Sequence, residues 1–349
     1  MTRTFRLHIL VSYLPHDGER LSNFLIAERM HPKMQELQQQ ALLAAEKLID
    51  LALEEDLGTV GDITTLAISE NKNSSDLSCR AVMIAKSEGV VAGIEIAGRV
   101  FLRTSPSLQF KALVKDGQRV EDRQIVARVE GPATTILSAE RIALNFLQHL
   151  SGIATLTARF VQAASKTKAH ILDTRKTTPG WRVLEKYAVA CGGGESHRLG
   201  LHDMFLIKEN HIATAGGIQP AVERCRAFSH RHKRNWLLEV EAKTFAEVQE
   251  CLRAGVDRIL LDNMSLEEIR QAVQTVAGRV PLEASGSVIL QNVAEVAATG
   301  VGYISIGALT HSAPAMDFSM LLSNQNQVKS PPKEPRNSRK YAETQRAHK

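Results

Sequence analysis

Apolar residues recur at helical spacing through residues 35–55, at Leu42, Leu43, Ala45, Leu48, Ile49, Leu51 and Leu53, and predict a helix. EEDLGTVGDITT then interrupts as a Gly-punctuated loop. Over 77–137 the pattern shortens. CRAVMIAKSEGVVAG and LQFKALVKDGQRVEDRQIVARVEGPATTIL hold brief apolar runs between glycine turns, which reads as β structure. From Ser138 the chain becomes α/β. SAERIALNFLQHLSGIATLTARFVQAASK predicts helices with a stripe at Ile142, Leu144, Phe146, Leu147 and Leu150. Strand-like runs follow: AHILDT, MFLIKENH, WLLEVEA, RILLDN, PLEAS and GYISIG. Helical segments such as FAEVQECLRAG and SLEEIRQAVQTVAG separate the later ones and end in glycine, a common helix stop. Ser265 and Glu268 have capping-box spacing. Such alternation predicts a parallel sheet, as a barrel or an open doubly wound sheet.

Each of these strands carries a polar residue or glycine at its C-terminal end. They are Asp173-Thr174-Arg175-Lys176, Lys208, Glu241, Asp262, Ser285-Gly286 and Gly307. In a parallel barrel those ends share one rim, where chemistry is assembled. Arg175, Lys176 and Lys208 are cationic, joined by His197 and Arg198 from the GGGESHR loop. Glu241 and Asp262 form an acidic pair suited to Mg²⁺ shared with substrate phosphates. Ser285, Gly286 and Gly307 let backbone N–H groups approach a phosphate. The rim thus offers a pocket for carboxylates or pyrophosphate, a metal pair and a phosphate cradle.

Charge and composition narrow this little. The formal net charge of +5 is accounted for by residues 325–349, which hold seven Lys or Arg and two acids. The basic pI therefore describes a tail and does not imply nucleic-acid binding. No apolar run is long enough to span a membrane. Four cysteines without a C-x-x-C pair point to a reducing compartment, and the expected location is cytoplasmic. Residues 1–33 read as an extension, with a transit peptide as the alternative.

The runs LDTRKTTPG, GGGESHR, FLIKENH, LEVEAKT, ILLDNM, LEASG and ISIGALTHS, in this order, resemble quinolinate phosphoribosyltransferase, the decarboxylating nicotinate-nucleotide pyrophosphorylase. EEDLGTVGDIT and ERIALNFLQHLSGIAT match the family's earlier stretches, so the similarity covers roughly residues 40–322. The resemblance implies an N-terminal α/β sandwich domain (34–138), then an incomplete TIM-like α/β barrel (139–311) of the type II phosphoribosyltransferase class. It implies that 312–324 return to the first domain, and 325–349 remain a tail. The implied substrates are quinolinate and phosphoribosyl pyrophosphate, with Mg²⁺ as cofactor at Glu241 and Asp262. Lys176, Lys208, Glu241 and Asp262 are the expected catalytic residues. Arg141, Thr174, Arg175, Lys176, His197, Arg198, Lys208, Ser285, Gly286 and Gly307 are the expected substrate contacts. The implied assembly is a homodimer, or a higher oligomer, in which Arg141 completes the neighbour's site; nucleic acid and membrane are not expected partners.

Competing readings stay in view. A monocarboxylate such as nicotinate would need fewer cations, and a non-catalytic phosphate-binding barrel would not need Glu241, Asp262, Lys176 and Lys208 together. Glu239, two residues before Glu241 on the same strand face, fits either a structural ion pair or the metal's surroundings. His211 reads as structural, and Trp181 as a pocket wall or a packing residue. SHRHKRN (229–235) reads as a solvated loop on the opposite rim. One position departs from the family: Ser287 stands where a second glycine is usual, which strains the turn if positive φ is required there.

Overall fold

The computed structural model of the chain describes residues 32–69 and 78–324. The expected extension lies outside these up to residue 31, and the basic tail 325–349 lies wholly outside them. The described chain opens on helices α1 (Pro32–Leu57) and α2 (Ile63–Ser69). Ala41, Ala45 and Ile49, spaced four apart, form the buried stripe of α1, whereas Leu43 and Leu51 are exposed on its other side. The apolar face is narrower than the sequence pattern because only one line of positions meets the core.

The first sheet is built from β1 (Ser78–Ala85), β2 (Gly89–Val90), α3 (Ile94–Thr104), β3 (Gln109–Ala112), β4 (Arg119–Val120) and β5 (Ile125–Pro132). β1 pairs antiparallel with β5, and β5 with β3; β2 and β4 make a separate short pair. Alternating burial along β1 turns Cys79, Ala81, Met83 and Ala85 into the core. α3 covers this sheet through Ile94, Ile96, Ala97, Val100 and Phe101.

Helix α4 (Ala133–Ala164) is 32 residues long and continuous. The expected start at Ser138 and the glycine at 152 do not divide it. A Cβ at Gly152 would sit against the carbonyl of Pro314, so glycine serves there to let two backbones meet. The crossing chain is the segment that leads to the last strand.

The second half holds β6 (His170–Leu172), α5 (Arg182–Cys191), β7 (Phe205–Ile207), α6 (Glu209–Ala215), α7 (Ile218–Arg231) and β8 (Leu238–Ala242). It continues with α8 (Phe245–Ala254), β9 (Arg258–Asp262), α9 (Leu266–Val276), β10 (Leu282–Ser285), α10 (Val293–Ala298), β11 (Tyr303–Ser305) and α11 (Ala308–His311). All six strands are parallel, in the order β6-β11-β10-β9-β8-β7. The first strand thus lies beside the last, as in a barrel; a doubly wound sheet would reverse direction at a switch point. The barrel is incomplete between β6 and β7. The Gly192–Gly194 loop fills that gap: Glu195 donates its N–H to Ile171 O and accepts from Asp173 N–H, in parallel bridging with β6. The Ser265–Glu268 capping box is present, and α8 has another at Thr244 and Glu247. β12 (Phe318–Asn324) then pairs antiparallel with β1 and completes the four-stranded sheet.

Among the described residues no helix is long and apolar enough to cross a membrane. The four cysteines are free.

Candidate active site

A cavity of about 650 Å³ opens where the six parallel strands end. The end of β6 supplies Thr174, Arg175 and Lys176, and the loop filling the barrel gap supplies His197 and Arg198. Lys208, Glu241 and Asp262 enter from consecutive strands β7, β8 and β9. Ser285, Gly286 and Gly307 line the far side. Arg141 is the exception: it is exposed on α4 and does not line the cavity of its own chain.

The hydroxyls around Arg175 shape the backbone. Thr174 Oγ1 accepts from Lys176 N–H at 3.0 Å, and Thr177 Oγ1 accepts from Arg182 Nε at 3.0 Å. Thr310 Oγ1 donates to Lys176 O at 2.8 Å. A Cβ at Gly307 would come within 3.0 Å of Lys176 Cδ, so glycine there leaves Lys176 its place. Arg175 Nε is buried with no partner. Burial and the neighbouring Arg175 both lower the Arg198 pKa. Two crowded guanidiniums, one with an orphaned donor, make a site that an anion would complete.

On the acidic side, Lys208 Nζ lies 2.7 Å from Glu241 Oε2. Asp262 accepts from Asn263 Nδ2 at 3.2 Å, and Asn263 takes a left-handed conformation at φ 54°. Gly286, at φ 94°, leaves no room for a side chain because Asn263 packs against it. Ser287 has φ 53°, the left-handed conformation for which the family's glycine is suited. Its hydroxyl donates to Asn263 Oδ1 at 3.4 Å.

Beneath the rim lies a layer the sequence reading saw only in part. Glu239 and Glu283 are fully buried, one inward step below Glu241 and Ser285 on the same strand faces. His197 Nε2 sits between them, 3.1 Å from Glu239 Oε2 and 3.4 Å from Glu283 Oε1. Glu239 is thus an ion-pair partner of the loop. Burial raises its pKa, with Glu283 adding to that. Glu283 Oε2 also accepts from Arg258 at 3.1 Å, and that guanidinium lies 4.2 Å over the Tyr303 ring. The ligand atoms of His197, Glu239 and Glu283 fall within 4.8 Å of one another, near enough for a cation, but Arg258 already brings positive charge there.

A second buried pair was also missed. Lys186 on α5 bonds Asp173, both fully buried. Asp173 Oδ1 also accepts from His197 N–H at 2.9 Å, so one carboxylate ties β6 to the gap-filling loop. The readable signals were the repeated spacing of Glu239-x-Glu241 and Glu283-x-Ser285 on strands otherwise apolar, and a lysine within the apolar face of α5. His211 is structural: its Nδ1 accepts from Lys208 N–H at 3.0 Å. Trp181 packs on Phe146, with ring centroids 4.8 Å apart, and does not line the cavity.

The family model for the quinolinate phosphoribosyl transferase N-terminal domain matches residues 62–151, and that for its C-terminal domain matches 153–321. The chain belongs to this family. It is 41% identical over 293 residues to quinolinate phosphoribosyltransferase [decarboxylating] 1b of Nicotiana tabacum, covering 80% of this chain and 82% of the relative. It is 41% identical over 286 residues to the probable nicotinate-nucleotide pyrophosphorylase [carboxylating] of Bacillus subtilis (strain 168), covering 81% and 96%. The solved nicotinate-nucleotide pyrophosphorylase of Francisella tularensis superposes with a TM-score of 0.76 at 38% identity, over 81% of this chain and 97% of that one. The two family models meet at residues 151–153, inside the continuous helix α4.

Proposed function

We propose that this chain is a quinolinate phosphoribosyltransferase of de novo NAD synthesis, converting quinolinate and phosphoribosyl pyrophosphate to nicotinate mononucleotide, pyrophosphate and CO₂. The observation that carries this reading is the buried, unpartnered Nε of Arg175 beside Arg198. A dianionic pyridine would satisfy that donor and relieve the repulsion between the two guanidiniums; each charge-assisted bond is worth about 1.5–3 kcal/mol.

Arg175, Arg198 and Lys208 would hold the two carboxylates, with Thr174 fixing the turn that aims Arg175. The ring nitrogen would then face C1′ of the ribose, whose phosphate rests on the backbone of Ser285, Gly286 and Gly307. The nitrogen bonds to C1′ as the C1′–pyrophosphate bond breaks and the electron pair leaves with pyrophosphate. Lys176 stabilises that departing charge. The carbon that loses CO₂ keeps the bonding pair, which the pyridinium nitrogen stabilises, and takes a proton from water. No residue need act as a general base. Glu241 and Asp262 fit Mg²⁺, being oxygen donors on adjacent strands at the open rim, and the ion would neutralise pyrophosphate charge. Arg141, exposed and away from its own cavity, is suited to completing a neighbour's site in a homodimer. We assign the protein to the cytoplasm.

The test follows nicotinate mononucleotide and CO₂ from quinolinate, phosphoribosyl pyrophosphate and Mg²⁺, with nicotinate replacing quinolinate in a parallel assay. Product from quinolinate alone is expected. Product from nicotinate alone would overturn the dicarboxylate pocket, and product from neither would overturn the activity.

A further inference from the structure

Helix α5 lies between the two loops that supply the cavity's crowded guanidiniums. The loop before it, 173–181, carries Arg175, and the loop after it, 192–204, carries Arg198. Arg182, the first residue of the helix, reaches both loops. Its Nε donates to Thr177 Oγ1 at 3.0 Å, and its Nη1 donates to Leu199 O at 3.3 Å. Thr177 is two residues past Arg175, and Leu199 directly follows Arg198. Arg182 itself is partly buried and does not line the cavity.

Each end of this bridge is tied to the pocket backbone. Thr177 N–H donates to Arg175 O at 3.0 Å, and the Thr177 hydroxyl donates to the same carbonyl at 3.5 Å. On the other side Asp203 accepts from Leu199 N–H and, at 3.2 Å, from Gly200 N–H. One turn further along α5, buried Glu185 accepts from Thr178 N–H at 3.1 Å, so the helix grips the first loop twice. Arg198 makes a single side-chain bond of its own among the described residues, from Nη1 to Met204 O at 3.4 Å. Two like charges held side by side repel, so their spacing has to come from the backbones that carry them. An arginine suits this task because its donors sit on separate nitrogens of one rigid plane and can fix the distance between two acceptors. Lysine offers one nitrogen on a flexible stem.

We infer that Arg182 is a positioning residue: it clamps the Arg175 loop to the Arg198 loop and so sets the spacing of the two guanidiniums that adjacent carboxylates would meet. The identity of that ligand rests on the function proposed above; the clamp does not.

Two experiments test this. Arg182→Leu removes both bonds, and Arg182→Lys keeps the charge without the fork. In Arg182→Leu, amide hydrogen exchange of peptides covering 174–178 and 198–202 should be about tenfold faster in both loops and unchanged in β9 and β10. Faster exchange in neither loop, in one loop only or throughout the barrel would overturn the clamp. The second experiment is calorimetric titration with quinolinate alone and, separately, with phosphoribosyl pyrophosphate and Mg²⁺. Both variants should bind quinolinate about tenfold more weakly and phosphoribosyl pyrophosphate within about twofold of the wild type. Wild-type quinolinate affinity in Arg182→Lys would make the charge the agent and overturn the inference, as would equal weakening of both ligands. If Arg182→Leu does not fold, Arg182→Lys carries both measurements. A wild type that binds no quinolinate would strike the functional reading alone, since the exchange measurement needs no ligand.

Discussion

Lys208 Nζ and Glu241 Oε2 lie 2.7 Å apart across the ends of neighbouring strands. The lysine side chain is 47% exposed, so the pair adds little to stability. Its value lies in placing a cation at the mouth of the cavity. Lys208→Ala should lower kcat/KM for quinolinate by about ten- to a hundredfold, the cost of one charge-assisted bond to a substrate carboxylate. The melting temperature should move by no more than about 2 °C. Wild-type turnover in this variant would remove Lys208 from the site; a large loss of Tm would make its role structural.

The same pair bears on the metal. Glu241 cannot hold Lys208 and Mg²⁺ with the same oxygen. Calorimetric titration should therefore show weak Mg²⁺ binding to the free protein and tight binding once phosphoribosyl pyrophosphate supplies further oxygens. Lys208→Ala should tighten the binding of Mg²⁺ alone. Equal affinity with and without the sugar phosphate would argue against Glu241 as its ligand.

Much of this rim was legible because strand ends expose their chemistry in order. Arg175, Lys208, Glu241 and Asp262 each follow an apolar run, and one parallel sheet gathers them. The buried layer was not legible in the same way. Glu239, Glu283 and Arg258 are neighbours only because β8, β9 and β10 pair in one register, and a single chain does not reveal register. The Asp173–Lys186 bond depends on how α5 packs against β6, which periodicity leaves open. Nor does local sequence show why glycine stands at 152, since its role is a contact with Pro314 far along the chain.

Ser287 sits at φ 53° with a side chain that this conformation disfavours. The left-handed region costs an ordinary residue about 1–2 kcal/mol, while glycine's extra freedom in the unfolded chain costs about 0.5–1 kcal/mol. Ser287→Gly should therefore stabilise the protein by about 0.5–1 kcal/mol in urea unfolding. KM for phosphoribosyl pyrophosphate should fall or stay level. Gly286→Ala should act in the opposite sense on both, since a Cβ there meets the Asn263 side chain and lies 3.0 Å from its backbone nitrogen. A destabilised Ser287→Gly protein would mean that the hydroxyl's contact with Asn263 outweighs the backbone strain.

Lys186 and Asp173 exclude water entirely. Burial lowers the lysine pKa and raises that of the aspartate, and the pair resists both effects. Lys186→Met leaves a buried carboxylate alone and should cost about 3–5 kcal/mol in urea unfolding. Adding Asp173→Asn should restore at least half, because the amide oxygen can still accept the His197 N–H. If the double variant is no more stable than the single, the ion pair is not what holds the loop to β6.

Asp116 joins the first domain to the barrel: Tyr187 donates its hydroxyl to Oδ2 at 2.8 Å, and Ile94 N–H donates to Oδ1 at 2.9 Å. The residue keeps some exposed surface, but its carboxylate faces inward onto these donors. Burial outweighs the hydrogen bonds and raises its pKa to about 6 from 3.8. Between those values the folded state holds more protons than the unfolded chain, so this group's stabilising contribution is complete below 3.8 and is lost as pH rises through about 6. The loss is at most about 3 kcal/mol. Asp116→Asn cannot titrate and escapes it. Urea unfolding of both proteins at about pH 4 and about pH 7 isolates the effect, since the other carboxylates cancel in the difference. The wild type should lose ground to the variant as pH rises; a difference that stays constant would mean that Asp116 titrates like an ordinary carboxylate and that the join between the domains is indifferent to its charge.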